Sequence, residues 1–222
     1  MDYQSRAIDS NQEGVHEELE SHVRKYLQTS FRKPIAEHSQ QAFDRVQEEV
    51  TQWQGPVVLD SCCGVGESTL HLAGEHADAL VIGVDKSAHR LAKNTAYRQG
   101  ELGQRCLLVR ADLNDFWRLA AQASWPLTHH YILYPNPWPK HKHLGRRWHG
   151  GALFPQILAL GGKLEVRSNW RLYVEEFQVA LQIAGQQSVI KQLPNEHSPI
   201  TPFERKYQAT DQPLWQLQSN LC

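Results

Sequence analysis

The chain has 222 residues, 41% of them hydrophobic, and a formal net charge of −1. That length suits one large domain or a domain with an extension, and the apolar fraction fills a core, which excludes disorder throughout. There is no run of about 18 apolar residues, which excludes a transmembrane helix, and residues 1–12 are polar and lack the apolar centre of a signal peptide. Cys62 and Cys63 are adjacent, Cys106 stands alone and Cys222 is the last residue. That spacing fits no disulfide framework and points to reduced thiols in a cytoplasmic protein.

Two helical patterns open the chain. Val15, Leu19, Val23 and Leu27 recur at four-residue steps and predict a helix over residues 13–29. Phe43, Val46, Val50 and Trp53 predict a second over residues 39–53, with Ser39 as its cap. A basic linker, Phe31-Arg32-Lys33-Pro34, joins them. Residues 1–54 therefore form a helical N-terminal extension, and residues 55–222 form the main domain.

From residue 55 short apolar runs alternate with helical segments. The runs cover 57–60, 80–85, 106–112, 131–136 and 163–168, with helices expected near 67–76, 87–99, 114–122, 149–160 and 171–184. Runs near 188–193 and 214–221 complete seven strands as an antiparallel pair. Such alternation predicts an α/β fold with a doubly wound, mostly parallel, Rossmann-like sheet.

Ligands bind such sheets beyond the C-terminal ends of the strands. Four runs end there in Asp60, Asp85, Asp112 and Asn136. After the first comes Asp60-Ser-Cys-Cys-Gly-Val-Gly-Glu67, where Gly64 and Gly66 permit a tight turn and close approach to a ligand. A dinucleotide fingerprint requires a third glycine, and Thr69 stands in its place. The loop instead resembles that of S-adenosylmethionine (AdoMet) enzymes. On that resemblance Asp85 binds the ribose hydroxyls, Asp112 the adenine amino group, and Asp60 faces the cationic end of the cofactor. Asp85 and Asp112 also stand where helix caps belong.

The fourth run feeds Tyr134-Pro-Asn-Pro-Trp-Pro-Lys-His-Lys-His-Leu-Gly-Arg-Arg147. Each proline locks φ, removes a backbone donor and holds the preceding residue extended, so Asn136 is presented in a fixed direction. Lys140, Lys142, Arg146 and Arg147 follow without an intervening acid, whereas Glu13, Glu17, Glu18, Glu20, Glu48 and Glu49 gather early in the chain. A polyanion responds to such a local patch rather than to net charge. The basic side chains suit phosphate contacts, and Trp138 suits stacking on a base or burial in the core. His141 and His143 form H-x-H without an evident third ligand, so no metal is expected.

These motifs, with Ser168-Asn-Trp170 and Thr201-Pro-Phe-Glu-Arg205 in the same order, resemble the bacterial tRNA (guanine-N7)-methyltransferase family over about residues 55–210. The resemblance implies AdoMet as cofactor, held by Asp60, Asp85, Asp112 and Asn136. It implies tRNA as partner, contacted at Lys140, Asn169, Thr201 and Glu204, and methylation of guanine N7. The expected protein is a cytoplasmic monomer or weak homodimer. Three positions depart from the family: Asn136 and Asn169 stand where it has Asp, the first of these regarded as catalytic, and Cys62 replaces the first loop glycine. The amide at Asn136 keeps open an Asn-Pro-Pro-aromatic type of loop acting on an exocyclic amine (N6 of adenine or N2 of guanine). A relative that binds tRNA or AdoMet without turnover also stays open.

Overall fold

A computed structural model describes residues 7–93 and 101–221. Two helices come first, α1 (Leu19–Leu27) and α2 (Glu37–Trp53). The α/β part then runs β1 (Val57–Ser61), α3 (Glu67–Glu75), β2 (Leu80–Asp85), α4 (Ala88–Leu91), α5 (Glu101–Gln104), β3 (Cys106–Arg110) and α6 (Leu113–Gln122). It continues with β4 (Leu127–Leu133), α7 (Phe154–Leu160), β5 (Gly162–Ser168), α8 (Arg171–Ile183), β6 (Ser188–Gln192), α9 (Pro202–Gln208) and β7 (Trp215–Leu221). The strands form one seven-stranded sheet in the order β3-β2-β1-β4-β5-β7-β6. Strands β1 to β5 pair in parallel, and β7 lies antiparallel to both β5 and β6. The expected doubly wound sheet with an antiparallel end is thus the fold.

Alternation places the core. Val57, Leu59, Ile82, Val84, Ile132 and Val166 face one side, against α2, α6 and α8. Val58, Val81, Tyr131 and Leu133 face the other, with Leu72 and Ala73 of α3. Central parallel strands are covered on both faces and therefore read as unbroken apolar runs. Leu19, Val23, Phe43, Val46 and Val50 of the first two helices belong to the same core as the sheet.

Several boundaries differ from the sequence expectation. The first helix spans only Leu19–Leu27. In α2, Ser39 is not the cap; Ala36 holds that position, and its N–H donates to the Asp115 carboxylate of α6 at 3.1 Å. A tertiary partner thus supplies what local capping chemistry was expected to supply. Strand β4 starts earlier, because His130 is buried and meets the Ser61 hydroxyl at 2.8 Å. It stops at Leu133, because Tyr134 turns to φ 50° and Pro135 has no donor. Of the helix expected over 87–99, α4 covers the start, and residues 94–100 lie outside the described residues. The helix expected over 149–160 begins only at Phe154, preceded by short 3₁₀ turns at His141–Arg146 and Trp148–Gly150.

Candidate active site

At the C-terminal ends of β1, β2 and β4 lies a cleft of about 740 Å³, a size within the range for a cofactor-sized ligand. Asp85, Asp112, Asn136, Trp138, Arg146 and Asn169 line it together. The fold thus brings two of the strand-end acids, both amides and part of the basic loop to one cavity. Tyr26 and Phe31 from the N-terminal segment complete one wall, and Phe203 and Tyr207 of α9 another. Sequence reasoning missed these four. A signal existed for Phe203, which lies inside the Thr201-Pro-Phe-Glu box.

The glycine loop follows from its backbone. Gly64 and Gly66 take φ of 63° and 79°, and Cys62 takes 63°. A non-glycine residue in that region carries strain of order 1 kcal/mol, which accounts for glycine being the usual residue where Cys62 stands. The Gly64 N–H donates to Asp85 Oδ2 at 3.1 Å and the Ser87 N–H to Asp85 Oδ1 at 2.7 Å. Asp85 therefore ties the loop to the end of β2, and Arg90 also reaches Oδ1, at 3.0 Å. Asp112 caps α6, accepting from the Asn114 N–H at 2.9 Å. Capping and cleft lining coincide there, since one carboxylate has lone pairs for both. Burial pushes the Cys62 thiol up to about 12 and the Cys63 thiol well above its usual range. Both are protonated at neutral pH, consistent with packing in the loop rather than nucleophilic chemistry.

Asp60 sits behind the cleft rather than in its wall. It is fully buried, and its Oδ2 accepts from Ser68 Oγ at 2.6 Å and Thr69 Oγ1 at 2.7 Å, while Oδ1 has no hydrogen-bond partner among the described residues. Burial outweighs those two bonds and raises its carboxyl from 3.8 to about 6. A group whose folded-state pKa is raised stabilises the fold at low pH, and that contribution is lost as pH rises from about 4 to about 6. The loss is about 3 kcal/mol at 1.36 kcal/mol per pKa unit. Asp60→Asn keeps an acceptor without the charge, so the variant is expected to gain on the wild type by roughly that amount between about pH 4 and about pH 7.5. Urea unfolding of both proteins at the two pH values checks this, and a pH-independent difference counts against it.

Three expected contact residues are held inward: Arg147 at the back of the cleft wall, Thr201 and Glu204 outside it. Arg147 is 1% exposed, and its guanidinium pairs with the buried Glu176, so it is no surface phosphate contact. The Thr201 hydroxyl caps α9, accepting from the Glu204 N–H at 3.0 Å. Glu204 is fully buried and accepts from Tyr134 Oη, Arg167 Nη1 and the Ile200 N–H at 2.6–2.9 Å. It anchors the positive-φ Tyr134 ahead of Asn136 instead of lining the cleft. Lys140, Lys142 and Arg146 are exposed. The Arg146 guanidinium lies 4.7 Å from the centre of the half-buried Trp138 ring. Asn169 donates to Gln212 Oε1 at 2.9 Å.

The H-x-H pair diverges. His143 packs edge-on to Trp138, whereas His141 joins His16 and Glu17 in a group whose potential ligand atoms lie within 4.8 Å of one another. The His16 and His141 rings stack at 3.9 Å and 29°. Imidazole lone pairs lie in the ring planes, so rings stacked face to face do not converge on one ion. Both His16 nitrogens are also engaged, Nδ1 by the Glu18 N–H and Nε2 by the His141 carbonyl.

A family model described as "Putative methyltransferase" matches residues 54–217. The chain is 35% identical over 126 residues to a tRNA (guanine-N(7)-)-methyltransferase of Mycolicibacterium paratuberculosis, covering 55% of this chain and 48% of that protein. It is 29% identical over 171 residues to a protein of the same name from Thiobacillus denitrificans, covering 73% and 74%. The chain thus spans about half the length of the mycobacterial relatives it matches and three quarters of the Thiobacillus one. Among solved structures, an antibiotic-related methyltransferase superposes with a TM-score of 0.62 at 15% identity, over 81% of this chain and 94% of that one. The aminoglycoside resistance methyltransferase NpmB1 superposes with a TM-score of 0.56 at 18% identity, over 81% and 93%. At such identities these two structures speak for the fold alone. The family match runs from the start of β1 into β7 and takes in most of the cleft at the strand ends, and the chain belongs to this methyltransferase family.

Proposed function

We propose that the protein is an AdoMet-dependent tRNA methyltransferase that forms N7-methylguanosine. One observation carries this reading: a single cleft joins Asp85 and Asp112 to the Asn136–Trp138 loop, with exposed Lys140, Lys142 and Arg146 beside it. The names of the relatives support guanine N7 of tRNA as the target. The residues fit the cofactor. Asp85 and Asp112 offer acceptors for ribose and adenine, and the orphan Oδ1 of Asp60 marks negative character under the glycine loop. AdoMet, when bound, supplies an electrophilic methyl group on a sulfonium. Guanine N7 has a free lone pair, so the chain need not remove a proton to activate it; alignment supplies much of the acceleration. Asn136 presents one carbonyl acceptor and an NH2 donor to the base, and Trp138 offers a stacking face worth about 1–3 kcal/mol. The enzyme acts in the cytoplasm as a monomer or weak homodimer, without a resident metal.

The test is incubation with labelled AdoMet and undermodified total tRNA, followed by nucleoside mass spectrometry. Label in N7-methylguanosine is expected. Label in N6-methyladenosine or N2-methylguanosine would replace the reading by the exocyclic-amine one, which the amide at Asn136 favours. AdoMet binding without transfer would replace it by a binding role. Replacing Lys140, Lys142 and Arg146 together by alanine is expected to weaken tRNA binding and to flatten its dependence on log salt by roughly 2, at about 0.7 for each phosphate no longer neutralised. An unchanged slope in a salt titration would remove these residues from the tRNA surface.

A further inference from the structure

Glu176 on α8 lies outside every motif that pointed to the cleft, yet it is fully buried and saturated with donors. Its Oε1 accepts from Gln12 Nε2 at 2.5 Å and from the His16 N–H at 3.0 Å. Its Oε2 accepts from Arg147 Nη1 and, at 3.0 Å, from His149 Nε2. Burial works against the charge, but the His149 bond and the Arg147 guanidinium overcome it and hold the carboxyl at about 2, well below the usual range. Burial conversely keeps His149 below its ordinary value.

Arg147 carries this hub to the cleft. Its Nε and Nη2 both donate to the Trp138 carbonyl at 3.2 Å, and Nη2 also reaches Gln12 Oε1 at 2.9 Å. The loop needs such an anchor. Prolines at 135, 137 and 139 remove its donors, and Trp138 stands at φ 47°. The N-terminal segment closes over the same loop. Ser10 Oγ donates to the Pro139 carbonyl at 2.7 Å, and the His141 N–H donates to Asn11 Oδ1 at 3.0 Å.

We propose that Glu176 is a positioning residue: through Arg147, and with Gln12 and His16 drawn onto the same carboxylate, it holds the Asn136–Trp138 loop in the geometry that transfer requires. The role in transfer rests on the methyltransferase reading above; the clamp itself does not. Displacing a reacting partner by about 1 Å costs on the order of a hundredfold in rate, so a clamp on this loop reads out in kcat.

Two variants separate positioning from mere stability. Arg147→Lys keeps a cation beside Glu176 but cannot reproduce the planar fork that also holds the Trp138 carbonyl. Glu176→Gln keeps the shape and removes the charge. For both, kcat is expected to fall roughly thirty- to hundredfold, with a much smaller rise in the calorimetric Kd for AdoMet, because Asp85 and Asp112 are untouched and only the Asn136 side of the cleft is loosened. Amide hydrogen exchange over residues 137–146 is expected to quicken while the sheet stays protected. Arg147→Lys with wild-type kcat and wild-type exchange in that segment would overturn the proposal. A parallel loss of sheet protection and AdoMet affinity in Arg147→Lys would also overturn it, since that is a purely structural role. Should Glu176→Gln not fold, Arg147→Lys decides alone. A wild-type protein without turnover would overturn the methyltransferase reading and the role in transfer, and the exchange comparison would still decide the clamp.

Discussion

Replacing Asp85 with alanine is expected to raise the Kd for AdoMet by roughly 10²–10³-fold. On the proposed reading the Asp85 carboxylate at the end of β2 accepts from two vicinal ribose hydroxyls, and hydrogen bonds to a charged group contribute about 1.5–3 kcal/mol each. Losing the pair, at about 3–4 kcal/mol after partial compensation by water, corresponds to that range. The existing contacts sharpen the expectation. Gly64 and Ser87 take one acceptor site on each oxygen, and the half-exposed Arg90 occupies a further one on Oδ1. A carboxylate has about four such sites, so on that reading a bound ribose is expected to displace Arg90 and leave the two backbone donors in place. Arg90→Ala is accordingly expected to leave AdoMet affinity unchanged or improve it, while Asp85→Ala destroys it. Calorimetric titration measures both. Asp85→Ala with near wild-type affinity, in a protein whose far-UV circular dichroism is unchanged, would remove this residue from the cofactor site.

Asn136→Asp is expected to raise the rate of N7-methylguanosine formation by roughly tenfold, about 1.4 kcal/mol off the barrier. Methylation at N7 leaves the base cationic, and a nearby carboxylate stabilises positive charge as it develops. Asp also accepts from both the guanine N1–H and the amino group, where Asn has one acceptor. The side chain at 136 is exposed in the cleft, and among the described residues its Oδ1 accepts only from the Trp138 N–H at 3.3 Å, so the substitution buries no new charge. Asn136→Ala is expected to lose activity. Single-turnover rates with saturating tRNA measure the step. A slower Asn136→Asp enzyme, with tRNA binding intact, would mean that the amide itself is the working group and would favour an exocyclic-amine target.

Much of the fold was legible because it is encoded at short range. The apolar runs, their alternation with helices and the glycines at positive φ are properties of neighbouring residues. Strand ends were less so: His129 and His130 look polar, yet His130 is buried against Ser61 and Trp117 in β4. Asp85, Asp112, Asn136 and Asn169 do meet at one cleft, because a parallel sheet places successive strand ends on one edge. Thr201 and Glu204, named from the same ordered motifs, turned inward, one to cap a helix and the other to pair with Arg167 and Tyr134.

The sequence by itself determined the sheet, the glycine loop, the acids at its edge and the proline-fixed loop carrying Asn136, since each follows from local stereochemistry and period. Only the tertiary structure decided which charges are free to meet a substrate. Arg146 and Arg147 are neighbours in one basic run, yet the first lies over Trp138 in the open and the second is buried against Glu176. The difference is made by residues remote in sequence. Gln12 and His16 reach the same carboxylate from 164 and 160 positions away, and the energetic fate of a charge depends on the groups that exclude water from it.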